Sequence, residues 1–125
     1  MMTKRILLID DEDDIREVAQ MSLEFILNWQ VITAQSGQEG ILKASQELPD
    51  AILLDVMMPE LDGLMTFQKL QINPKTKHIP VILLTAQVQA EEHRKFVLSG
   101  VSGVITKPFE PLSLGALVEK ILDWA

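Results

Sequence analysis

The chain has 125 residues, 47% of them apolar and 23% charged, a balance that excludes intrinsic disorder and suits one ordinary globular domain. Eighteen acidic residues against eleven basic ones leave a net charge of −7, which repels phosphate backbones and anionic lipid and argues against nucleic-acid or membrane binding by this domain alone. There is no cysteine, so a disulfide framework, a thiolate metal site and a thiol nucleophile are excluded.

The amino terminus, Met1-Met2-Thr3-Lys4-Arg5, leads into a short apolar run ending at acids and does not read as a signal peptide. No stretch approaches the ~18 apolar residues of a membrane span, and a cytoplasmic protein is expected. Ile6-Leu7-Leu8-Ile9 is the first strand, continuous and apolar as a strand covered on both faces should be. After an acidic cluster, Ile15, Val18, Ala19 and Ile26 predict a helix face, with Asp14 and Glu17 spaced like a capping box. Val31-Ile32-Thr33-Ala34 is a weaker strand, suited to a sheet edge. Ser36 and Glu39 repeat the capping signal before Ile41, Ala44 and Leu48, and Pro49 ends that helix.

Ala51-Ile52-Leu53-Leu54 is the third strand, and Asp62-Gly63 opens a helix carrying Leu64, Phe67 and Leu70. Residues 73–80 are a connection. Val81-Ile82-Leu83-Leu84 is the fourth strand. The helix predicted over 87–99 is mostly polar, with Ala90, Phe96 and Val97 to bury and Gly100 as its stop, so it should dock loosely. Val104-Ile105-Thr106 is a second edge strand. Pro111 suits the first turn of a last helix whose stripe is Leu114, Leu117, Val118, Ile121 and Leu122. Trp29 and Trp124 are expected to anchor packing at element boundaries, and His78 and His93 to be surface residues.

Strand–helix alternation repeated five times demands parallel strands with right-handed crossovers. The expected fold is α/β, a flavodoxin-like (βα)5 doubly wound parallel sheet with strand order 2-1-3-4-5. Function then belongs at the carboxyl ends of the strands, near the switch point between the first and third. Asp10-Asp11 follow the first strand, Asp55 the third, Thr85 the fourth, and Lys107 the fifth. Each alone reads blandly, as a loop acid, a helix-turn acid or a surface charge. Jointly they do not, because each is at the first polar position after its apolar run. Three crowded carboxylates repel unless a cation joins them, and all-oxygen ligands without His or Cys select a hard ion, Mg2+ in preference to Ca2+. Such an ion assists phosphoryl transfer, and a carboxylate can be the nucleophile, with Asp55 best placed.

The motifs Ile9-Asp10-Asp11-Glu12, Leu54-Asp55-Val56-Met57-Met58-Pro59, Leu61-Asp62-Gly63, Leu84-Thr85-Ala86 and Thr106-Lys107-Pro108-Phe109 together resemble the CheY-like receiver domains of two-component response regulators. The resemblance covers essentially the whole chain, residues 1–125 as a single receiver domain. It implies that Asp55 accepts a phosphoryl group from a sensor histidine kinase or a histidine phosphotransfer protein. It further implies Mg2+ held by the side chains of Asp11 and Asp55 and the backbone carbonyl of Met57, with Asp10 acting through bound water. Thr85 and Lys107 would contact the phosphoryl oxygens, Ala86 would leave the site open to the donor, and the Lys107–Pro108 peptide would be cis. Phosphorylation, adding ~1.5–2 negative charges, would draw Thr85 inward and rearrange the surface of the fourth helix, fifth strand and fifth helix for a downstream target protein. By the same resemblance Met57 and Gln87 fall at variable positions beside the phosphoryl group and would tune its lifetime, with slow to moderate hydrolysis expected. Val104 departs from the family, many of whose members carry an aromatic residue there, so backbone shifts from Thr85 are expected in place of a ring flip.

Two other readings are weaker. A Mg2+-dependent phosphohydrolase passing through an aspartyl phosphate would usually carry a second Asp two positions after the nucleophile, where this chain has Met57. A flavodoxin-type electron carrier would be yellow. Gly37, Gly40, Gly63, Gly100 and Gly103 form no dinucleotide fingerprint, which disfavours NAD.

Overall fold

Strand runs with no polar residue inside them need cover on both faces, and here they are sandwiched between helices. A computed structural model describes residues 3–86 and 89–124. It contains β1 (Arg5–Ile9), α1 (Asp13–Leu27), β2 (Gln30–Ala34), α2 (Gly37–Glu47), β3 (Ala51–Asp55), α3 (Gly63–Ile72), β4 (Val81–Thr85), α4 (Ala90–Leu98), β5 (Gly103–Thr106) and α5 (Leu114–Leu122). The five strands form one parallel sheet in the order β2-β1-β3-β4-β5, as the alternation predicts. β3 and β4 are buried at every position, whereas β2 and β5 are partly exposed edges.

Because side chains alternate along a strand, neighbours serve opposite cores. Leu7, Ile9, Ile52, Leu54 and Leu83 point to the face covered by Ala44 of α2, Phe67 and Leu70 of α3 and Phe96 of α4. Ile6, Leu8, Leu53, Ile82 and Leu84 point to the other, covered by Ala19 and Leu23 of α1 and Leu114 and Val118 of α5. Each fully buried Leu or Ile contributes ~1.5–3 kcal/mol. At the amino-terminal edge of the sheet, Trp29 and Trp124 meet edge to face with centroids 5.4 Å apart, and the Lys4 ammonium stands 4.6 Å from the Trp124 ring. No described helix is long and apolar enough to cross a membrane.

Several local expectations are corrected. α1 begins at Asp13 after Glu12, with no side-chain cap, so Asp14 lies inside the first turn and forms no capping box with Glu17. Its acids act on the helix dipole instead. The buried face of α1 is Ala19, Ser22 and Leu23, while Val18 and Ile26 are largely exposed. In α2, Ser36 accepts from the Glu39 N–H (3.1 Å), but the Glu39 carboxylate reaches back to the N–H of Gln35 (2.6 Å), and Leu48 is exposed. Pro111 opens a separate 3-10 turn, Pro111–Ser113, and not α5 itself. In α4 only Phe96 is buried, and Val97 faces outward.

Candidate functional site

Parallel strands deliver all their carboxyl ends to one rim, so the residue following each apolar run arrives at a common edge. Asp10 follows β1, with its N–H bonded to the Ala34 carbonyl of β2 at 3.1 Å. One carboxylate oxygen, Oδ1, accepts the Glu12 N–H at 2.9 Å, closing the turn into α1. The other, Oδ2, accepts from the Lys107 ammonium at 2.9 Å. Asp11 is exposed. Asp55 closes β3 and is 1% exposed. Its Oδ1 accepts the Met57 N–H at 3.3 Å and lies 3.2 Å from Lys107 Nζ. Its Oδ2 is buried with no hydrogen-bond partner.

The start of α3 presses against this residue. Asp62 caps the helix through the Met65 N–H at 2.9 Å. A Cβ on Gly63 would sit 2.5 Å from the Asp55 carbonyl oxygen, so only glycine admits that approach. Lys107 follows β5, is 8% exposed, and donates its backbone N–H to the Thr85 carbonyl at 2.7 Å. The Lys107–Pro108 peptide is cis. Besides Asp10 and Asp55, the ammonium lies 3.5 Å from the Glu12 carboxylate.

Carboxylate oxygens of Asp10, Asp11 and Asp55 all lie within 4.8 Å of one another. Burial and the Asp10 charge push the Asp55 carboxyl up to about 7, against the pull of Lys107. For Lys107, burial disfavours the ammonium, but hydrogen bonding and charge from Asp10 and Asp55 outweigh it and raise its pKa. One cation thus serves two buried carboxylates beside a third acid. Negative charge is left over, and a buried oxygen of Asp55 is left unbonded. An all-oxygen donor set with an orphaned buried carboxylate oxygen fits a hard divalent cation.

The residues singled out from sequence assemble here in the main. Asp10, Asp11, Asp55 and Lys107 converge. Thr85 is buried at the end of β4, joined to Lys107 through its backbone, and Ala86 beyond it is exposed. Met57 contributes its N–H to Asp55 while its side chain is 73% exposed. Gln87 lies outside the described residues. Val104 is half-buried on β5, paired in register with Leu83. Two residues with no role assigned from sequence also belong to the site: Glu12, through Lys107, and Arg16, whose guanidinium donates to the Asp10 carbonyl at 2.8 Å. Arg16 is the only basic residue between positions 10 and 17, but that place alone does not separate it from solvated charge, and Glu12 carries no sequence signal of its own.

An open parallel sheet whose switch point carries clustered acids and a lysine, with no glycine-rich phosphate loop, defines an α/β domain of the CheY type. Residues 6–119 match the family model of the response regulator receiver domain, and the chain belongs to that family. It is therefore a signalling domain of two-component systems, a phosphorylation-dependent switch. Among its relatives, PleD of Caulobacter vibrioides is 39% identical over 122 residues, covering 96% of this chain and 26% of PleD. The alkaline phosphatase synthesis transcriptional regulatory protein PhoP of Bacillus subtilis is 38% identical over 121 residues, covering 97% of this chain and 49% of PhoP. The chain thus spans about a quarter to a half of these curated relatives. In structure it resembles the chemotaxis protein CheY4 of Vibrio cholerae, with a TM-score of 0.89 at 27% identity over 96% of this chain and 99% of that one. It also resembles the signal receiver domain of a signal transduction histidine kinase from Syntrophus aciditrophicus, with a TM-score of 0.84 at 30% identity over 97% and 91% of the two chains.

Proposed function

We propose that residues 1–125 act as one receiver domain in which Asp55 is the phosphoryl acceptor. The observation that carries this reading is a buried carboxylate with one unbonded oxygen, sharing a lysine with Asp10 and lying beside Asp11. Asp55 attacks the phosphorus of a phosphohistidine on a sensor histidine kinase or a histidine phosphotransfer protein. A P–O bond forms as the P–N bond breaks, and the electron pair leaves on the imidazole nitrogen, which takes up a proton. The product is a mixed anhydride on Asp55.

Asp11 and Asp55 would hold Mg2+ through carboxylates, Met57 through its backbone carbonyl, and Asp10 through a bound water. When bound, the ion neutralises charge on the phosphoryl oxygens. Lys107 already stands 3.2 Å from the acceptor carboxylate, and its ammonium follows the charge onto a phosphoryl oxygen. Thr85 offers its hydroxyl to another, and the small Ala86 leaves the donor's path open. The added phosphoryl charge draws Thr85 inward, and β5, α4 and α5 carry the change to a downstream target protein. The slight anchorage of α4 through Phe96 suits a moving element. A domain fed by ATP-using kinases operates in the cytoplasm, with no nucleic acid or membrane contact of its own.

The test is incubation with acetyl phosphate and Mg2+, followed by intact-mass measurement. The wild type gains one phosphoryl group, and neither Asp55→Asn nor the wild type in EDTA does. Labelling that persists in Asp55→Asn would place the acceptor elsewhere.

A further inference from the structure

Every polar group of Asp10 is engaged: its N–H by Ala34, one carboxylate oxygen by Glu12, the other by Lys107, and its carbonyl by Arg16. Asp11, by contrast, makes no hydrogen bond or ion pair among the described residues. Its carboxylate is therefore placed by the backbone alone, and the peptide that carries it is the one whose carbonyl belongs to Asp10. That carbonyl lies outside the ladder of α1, which begins at Asp13 and whose early bond runs from the Arg16 N–H to Glu12. The guanidinium supplies the missing donor. Its Nη1 lies 2.8 Å from the Asp10 carbonyl and its Nη2 2.5 Å from Asp13 Oδ1, and the side chain is only 12% exposed. A planar fork gripping two acceptors fixes orientation in a way a single ammonium does not.

We infer that Arg16 is a positioning residue for the acidic cluster: by pinning the Asp10–Asp11 peptide plane it holds the Asp11 carboxylate beside Asp10 and Asp55 in the arrangement a divalent cation requires. The inference rests on the proposed cation site and adds to it a residue that touches neither cation nor phosphoryl group.

Charge and positioning predict opposite results here. A cation near the cluster repels a second cation, so on charge alone the loss of Arg16 should tighten Mg2+ binding. Loss of a group that orients the ligands should weaken it, by about tenfold. The experiment is calorimetric titration of Mg2+ into the full chain, as wild type, Arg16→Met and Arg16→Lys, with folding checked by circular dichroism in EDTA. Positioning predicts about tenfold weaker binding in both variants, because Arg16→Lys keeps the charge and loses the fork. Should Arg16→Met not fold, Arg16→Lys decides alone. Unchanged binding in Arg16→Lys, or tighter binding in Arg16→Met, overturns the inference and leaves the site standing. Absence of saturable Mg2+ binding in the wild type overturns both.

Discussion

Lys107 is the single ammonium set between two buried carboxylates, and this arrangement leaves Asp55 unsatisfied whether or not it ionises. In the unfolded chain its carboxyl titrates near its ordinary value of 3.8, whereas in the folded protein it titrates at about 7. Between those values the native state keeps a proton that the unfolded state has released. Stability from this residue is therefore full below the lower value, falls as pH rises through the window, and is gone above about 7. Asp55→Asn removes the titration. In EDTA its advantage over wild type should grow by ~2–3 kcal/mol between pH 5 and pH 8, as measured by urea unfolding at both. An advantage that does not grow with pH would show that Asp55 is not held protonated by its surroundings. The members of the site were legible in the sequence because Asp10, Asp55 and Thr85 directly follow apolar runs and Asp11 and Lys107 come one residue later, so chain order and strand direction alone bring them together. Arg16 and Glu12 were not legible, because on a helix start an arginine among acids is indistinguishable from solvated charge until the carbonyl it meets is known.

Among the elements, strands read more truly than helices. A strand inside a doubly wound sheet is apolar on both faces, so the runs at β1, β3 and β4 left no choice of side. α1 did leave one: its apolar residues extend around more than half the helix. Val18 and Ile26 follow one stripe, Ala19 and Leu23 an overlapping one, and the choice is made by contact with α5. There Gly115 lets the α5 backbone come so close that an added Cβ would meet the side chains of Leu27 and Leu23, so the stripe that includes Leu23 is the one covered. The same logic of close approach, applied to α3, gives a prediction about the site. Alanine at Gly63 would meet the Asp55 carbonyl at 2.5 Å and the Val56 Cα at 2.7 Å, both backbone atoms that cannot swing aside. Gly63→Ala should cost ~1–3 kcal/mol and, by pushing the end of β3, slow labelling by acetyl phosphate severalfold. Urea unfolding and the time course of labelling would report the two effects. Normal behaviour in both would mean that α3 does not set the position of Asp55.

At the scale of the whole molecule, stability and signalling draw on opposite ends of the sheet. The tryptophan pair closes the amino-terminal edge, while the carboxyl edge concentrates unneutralised acid in a chain already carrying a net charge of −7. A ligand that binds only the native arrangement of those acids must stabilise the entire fold, by about 2.7 kcal/mol at a concentration one hundred times its dissociation constant. For a domain of this length, each kcal/mol raises the melting temperature by ~3–5 °C, so saturating Mg2+ should raise it by about 10 °C. Screening of the general negative charge would also stabilise, but it depends on ionic strength and not on the identity of the salt. Thermal unfolding in MgCl2 against NaCl of equal ionic strength separates the two. The excess due to Mg2+ should vanish in Asp11→Asn, whose side chain makes no hydrogen bond or ion pair among the described residues and whose loss leaves the Lys107 pairs intact. An equal rise in both salts, or an excess that survives in Asp11→Asn, would mean that the acids at the carboxyl edge act only as a diffuse field and do not hold an ion.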